Sequence, residues 1–199
     1  MSTIIASPGC STVCPIDKSY LATANCNREQ SAGAETKVYV WGYCQTETVT
    51  LDTTAAVLDF IKNIELASGQ TAVVFDLKEK SIGLTVEGGL NENYNLIEKD
   101  TLVGQGLNVD ETGFRAVRQF KGKEVVVLVV RNDGIAMCAG WNGGLRLMKW
   151  KYDTGKDKQK DFHGFDFEFV NDTREGARIV KPDVGLYPGG IDDLIASLT

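Results

Sequence analysis

The chain has 199 residues, 43% of them hydrophobic and 24% charged, which is enough apolar material for one compact domain and too much for a disordered chain. Its 27 acidic residues against 21 basic ones give a net charge of −6, the wrong sign for a protein that grips nucleic acid by neutralising phosphates. No run approaches the roughly 18 to 20 apolar residues of a membrane helix, and the first ten residues lack the basic and apolar regions of a leader, so neither membrane insertion nor secretion is expected.

Residues 1–35 carry Pro8, Gly9, Pro15 and Gly33 among many small polar residues, with no sustained period, and are predicted to form an extended N-terminal arm. A β-rich body is expected over 36–180. It opens on Lys37-Val38-Tyr39-Val40-Trp41-Gly42-Tyr43, dominated by β-branched and aromatic residues. Residues 54–60 predict a short helix capped by Asp52 or Thr53, with Val57, Leu58 and Ile61 on one face. Ile64 and Leu66 alternate with Asn63 and Glu65 before Ser68-Gly69, and residues 71–77 supply another β-rich run, so a hairpin is predicted there. Strands follow at residues 82–86 and through the segment 94–109.

Residues 114–120 space Phe114, Val117 and Phe120 three apart behind Asp110 or Thr112, which predicts a helix stopped by Gly122. Residues 125–130 are six consecutive apolar residues rich in valine, too few to cross a membrane, and predict a strand buried on both faces. Asn132-Asp133-Gly134 is a turn signal, followed by strands over 135–139 and 145–152. Lys151 to Asp161 form a charged, solvated loop. Beyond it Phe165, Phe167 and Phe169 alternate with Asp166 and Glu168, so one face of that strand packs and the other meets water. The segment 181–199 is predicted to be a C-terminal arm: Pro182, Pro188 and Gly189-Gly190 lead to Ile191, Leu194, Ile195 and Leu198, an apolar stripe at i, i+3, i+4 and i+7. Two helical turns do not hold themselves in water, so the stripe is expected to dock on a neighbouring subunit, and these four residues are the candidate subunit contacts.

Catalytic chemistry finds little to work with. His163 is the only histidine, so every Ser-His or Cys-His reading depends on it, and no nucleophile is identifiable beside it or its neighbour Asp161. Asp153-Thr154-Gly155 matches the triplet of aspartic proteases, but Lys156, Asp157 and Lys158 follow it where those enzymes are apolar, which reads as a turn. The glycine pairs and Gly140-Trp141-Asn142-Gly143-Gly144 fit neither phosphate-binding motif. Five cysteines, Cys10, Cys14, Cys26, Cys44 and Cys138, form no CxxC pair and an odd count, as reduced thiols do. Trp41, Trp141 and Trp150 offer a ligand shelf as the alternative to core filling, and core filling is the expectation. Neither a catalytic residue, a metal site nor a cofactor is therefore expected.

The apolar run 125–130, the Asn132-Asp133-Gly134 and Gly140-to-Leu145 turns, the charged loop around Thr154-Gly155 and the closing strand 165–170 resemble the tail tube type of structural proteins of tailed bacteriophages, over roughly residues 38–180. The resemblance implies a mainly β, sandwich- or barrel-forming fold with one flanking short helix and extended terminal arms. It also implies hexameric rings whose inner sheets join into a barrel, stacked into a tube in the virion tail after assembly in the host cytoplasm. The partners so implied are further copies of the chain, other tail or connector proteins, and DNA in transit, with which an acidic lumen would not stick. A tail terminator or head-to-tail connector ring, and a β-sandwich module binding a ligand or glycan, are the alternatives.

Overall fold

The structure, a computed structural model, describes residues 3–6, 37–52, 60–74, 81–90, 96–106, 118–131, 134–153, 164–173 and 175–199. The protein is mainly β. Among the described residues twelve strands join one large mixed sheet: β1 (Thr3–Ala6), β2 (Lys37–Gly42), β3 (Thr46–Asp52), β4 (Phe60–Leu66), β5 (Val73–Val74), β6 (Gly83–Leu90), β7 (Leu96–Gly106), β8 (Glu124–Val130), β9 (Ala136–Ala139), β10 (Leu145–Asp153), β11 (Gly164–Thr173) and β12 (Arg178–Val180). One helix, α1 (Ile191–Leu198), follows them. The sheet is open and runs β1-β3-β4-β12-β9-β8-β10-β11-β7-β6, with β2 on β8 and β5 on β2.

The valine-rich run is the centre, as its sequence predicts. One edge of β8 pairs with β2 from Val125 to Val130. The other edge is shared, its C-terminal half with β9 and its first two residues with β10. From that fork two wings diverge, β12-β4-β3-β1 beyond β9 and β11-β7-β6 beyond β10. Side chains alternate along a strand, so β2 and β8 feed two cores. Val38, Val40, Val125, Val127 and Val129 enter one core with Leu102, Phe120 and the three phenylalanines of β11. Tyr39, Trp41, Val126 and Leu128 enter the other with Val49, Leu51, Ile61, Ile64, Val180, Leu194 and Leu198.

The first core is built on a close approach of ring to backbone. Gly104 pairs with Phe167 and Gly106 with Phe165 across β7 and β11, and the rings lie over the glycines. A Cβ at Gly104 would stand 2.5 Å from Phe167 Cζ, and one at Gly106 2.1 Å from Phe165 Cζ. Phe167 and Phe169 meet edge-on at 5.4 Å, and Phe120 meets Phe169 at 5.3 Å, the tilted arrangement that ring quadrupoles favour. Phe120 belongs to the short helical piece ending at Gly122; the rest of the helix predicted over 114–120 lies outside the described residues.

Three expectations need correction. Over the described residues 60–74 there is no hairpin: β4 pairs with β3 and β12, and β5 crosses to β2, while 75–77 lie outside the described residues. The Ala67 N–H donates to Gln45 C=O at 2.8 Å and fixes where the chain turns away. Phe60, assigned to a helix by its sequence neighbours, opens β4, while 53–59 lie outside the described residues. The third concerns the C-terminal stripe. Leu194 and Leu198 are fully buried in the second core of their own chain, and Ile191 and Ile195 are half-buried against the same residues. The Ala72 N–H donates to Leu198 C=O at 2.6 Å, and Lys181 N–H to Ile61 C=O at 2.9 Å, so the segment lies along the sheet it covers. The stripe needed a surface, and the β4 wing of its own chain supplies it.

Candidate functional site

Two places in the described residues gather polar chemistry. The first is the fork itself. Asp100 on β7 is buried, and its Oδ1 accepts the Ala177 N–H at 2.8 Å. The Gly140 backbone N–H also donates to this carboxylate, Glu98 accepts the Gly176 N–H, and the Trp141 indole donates to Gly176 C=O at 2.9 Å. Three chain segments, β7, the β9–β10 junction and the lead into β12, are thereby tied together. Gly140 has φ +73° and a Cβ there would sit 2.6 Å from Val125 C=O, so only glycine fits.

Burial pushes the Asp100 carboxyl above the ordinary carboxylate range, against the pull of its two backbone donors and of Arg178. Its Oδ2 and the Arg178 Nε are buried without a hydrogen-bond partner. Cys138, buried beside them, has its thiol pushed up by burial and by the Asp100 charge, which leaves it protonated and unreactive. The fork is a polar joint closed to substrate.

The second place is open. A groove of about 990 Å³ lies along β7, β10 and β11. Met148, Trp150 and Val103 supply exposed apolar surface in it, at 64%, 45% and 40% exposure. Lys149 Nζ pairs with Glu168 at 2.9 Å, and Gln105 Nε2 donates to Asp166 at 2.8 Å. Met148 occupies a bulge, since the β10–β11 register slips between Leu147 and Lys149.

Of the residues singled out by sequence, Trp41 and Trp141 are buried, at 0% and 2% exposure, and form no ligand shelf; Trp41 instead donates to Thr46 Oγ1 at 2.9 Å inside the second core. Trp150 is the one of the three that reaches the groove. Asp161, His163, Thr154 and Gly155, and Cys10, Cys14 and Cys26, lie outside the described residues. Cys44 and Cys138 are not disulfide-bonded. Among the described residues no group of three or more His, Cys, Asp or Glu is placed to hold a metal ion, and no helix is long and apolar enough to cross a membrane. Sequence reasoning missed Asp100 and the groove. No family model, curated protein or solved structure matches the chain.

Proposed function

We propose that the protein is a non-enzymatic structural subunit that self-assembles, of the tail tube type its sequence resembles, forming hexameric rings that stack into a conduit for DNA. The observation that supports this reading best is the open sheet, which among the described residues ends on β1 at one side and β6 at the other. An edge strand is a template for another chain, and natural monomers blunt it with proline, lysine or a short length. Over its eight residues β6 has neither proline nor lysine, and Val86 and Leu90 are exposed on it. Sheet edges on the two sides of one subunit are what a ring needs to close head to tail. The net charge of −6 suits a lumen that DNA passes without sticking.

A ligand-binding module is the second reading, favoured by the groove beside Trp150. Electron microscopy and native mass measurement of the purified chain separate the two. Rings or tubes with six subunits per layer, persisting at roughly 0.5 M salt because apolar seams are not screened, are the expected outcome. A monodisperse monomer at the highest attainable concentration overturns the reading.

A further inference from the structure

The turn between β9 and β10 carries a reactive pair that neither core uses. Of the chain's ten asparagines only Asn142 stands before a glycine. In that pair the Gly143 nitrogen can close a five-membered ring on the side-chain amide carbon, and glycine has no Cβ to obstruct the approach. The fold leaves both reactants accessible. Gly143 is exposed, with φ +110°, and a Cβ built on it would meet a single atom, Asn171 Nδ2, at 3.8 Å. Asn142 is half-buried and bonded through its backbone, its C=O accepting from Asn171 Nδ2 at 3.5 Å. Gly144 N–H closes the turn on Gly140 C=O at 2.9 Å, and among the described residues no hydrogen bond takes the Gly143 N–H or the Asn142 carboxamide.

The other asparagines among the described residues have their amides in use. Asn63 is buried, its Nδ2 donates to Glu65 at 2.8 Å, and its Oδ1 accepts from the Tyr187 hydroxyl at 2.5 Å. Asn171 spends its Nδ2 on the turn itself. Isoleucine follows the first and aspartate the second, and each puts a side chain beside the nitrogen that would have to attack.

We infer that Asn142-Gly143 is a site of spontaneous modification, where the chain converts its own asparagine to aspartate and isoaspartate. Hydroxide takes the Gly143 amide proton, and the nitrogen attacks Asn142 Cγ. The new N–Cγ bond replaces the Cγ–Nδ2 bond, and Nδ2 leaves as ammonia with a proton from water, which restores the hydroxide. Water then opens the cyclic imide. Attack at Cγ gives aspartate, and attack at the backbone carbonyl gives isoaspartate, whose main chain is one atom longer; either product adds one negative charge. The location makes the longer chain consequential. Trp141 donates its indole to Gly176 C=O, and Gly140 donates its N–H to the Asp100 carboxylate. A Cβ at Gly140 would stand 2.6 Å from Val125 C=O, and one at Gly144 2.5 Å from Glu124 Cβ, so the turn is pinned on both sides of the pair. The extra atom enters between those fixed points and strains the fork.

Ageing the purified protein at neutral and at mildly alkaline pH tests it. Ion exchange should resolve a more acidic form that accumulates in proportion to hydroxide, and peptide mapping with an isoaspartate-specific methyltransferase should place the change at residue 142. Asn142→Gln, whose cyclisation needs a slower six-membered ring, should abolish the change at this position, with Asn142→Ser as a second replacement and far-UV circular dichroism as the check on folding. The isoaspartate form should melt below the unmodified protein, while Asn142→Asp, which adds the charge without the extra backbone atom, should melt close to it. An Asn142 that persists in the folded protein while the urea-unfolded chain converts overturns the site. An isoaspartate form that melts with the unmodified protein overturns the strain at the fork.

Discussion

On one face of the β2–β8 pair a single strand supplies three of the four phenylalanines, Phe165, Phe167 and Phe169, and the rings of Phe165 and Phe167 rest on a backbone stripped of side chains at Gly106 and Gly104. On the other face the cover is assembled from separate pieces: Val49 and Leu51 of β3, Ile61 and Ile64 of β4, Val180 of β12, and Leu194 and Leu198 of α1. The first face is a matter of shape, because a ring and a glycine must coincide across one register. The second is a matter of completeness, because every piece is ordinary aliphatic packing and each leaves a hole when it is missing. Central strands of the same sequence thus support two kinds of core with different vulnerabilities.

The largest expected effect strikes completeness. Leu194→Ala and Leu198→Ala should each cost about 2 to 5 kcal/mol, and the pair together should bring the chain close to unfolding, since a domain of this size has about 5 to 15 kcal/mol in all. Urea melts followed by circular dichroism measure it; a pair that costs under about 1 kcal/mol would mean that α1 merely rests on the sheet. Shape comes next. Gly106→Ala should cost about 1 to 3 kcal/mol by displacing the Phe165 ring, and Phe165→Leu should relieve part of that cost in the double variant. Simple addition of the two single effects would remove the ring-on-glycine account.

The fork between the faces gives a smaller, pH-dependent effect. The folded state raises the Asp100 pKa, so it binds that proton more tightly than the unfolded chain does. The stabilisation from this group is complete below the unfolded pKa, at acid pH, and is lost as pH rises through the folded pKa. Asp100→Asn keeps the acceptor oxygen and removes the buried charge. Its melting temperature relative to wild type should therefore rise between acid and neutral pH, and a relative shift in the opposite direction would contradict burial as the dominant cause. Smallest of all, Lys149→Met should change stability by under about 1 kcal/mol, because that ion pair is solvated and belongs to neither core. A larger loss in the same urea melts would show that the pair braces the β10–β11 register.

Much of this contrast was legible in residue spacing. The run 125–130 announces a strand with two buried faces, the alternation from Phe165 announces a strand with one, and the stripe Ile191, Leu194, Ile195, Leu198 announces a helix that must lie on something. Spacing reveals which face is apolar but not what covers it, which is why β5 was expected beside β4 and α1 on another subunit. Asp100 was illegible for a related reason. Between Lys99 and Thr101 it looks like any surface acid, and its burial is created by N–H groups at Gly140 and Ala177, far along the chain. The groove is likewise assembled from strands whose adjacency no local pattern encodes.

The parallel pairing of β12 with β4, which sets Val180 opposite Ile61, has a consequence for the order in which the molecule can be made. The β3–β4 hairpin emerges early from the ribosome, but the strand that closes its edge and the helix that covers its apolar face are synthesised more than a hundred residues later, a delay on the order of ten seconds. Throughout that interval Ile61, Ile64 and the outer edge of β4 are open to any strand or chaperone nearby. Translation speed and chaperone supply should therefore govern the yield of folded protein far more through this half of the molecule than through the hairpin of β6 and β7, whose two strands are made one after the other.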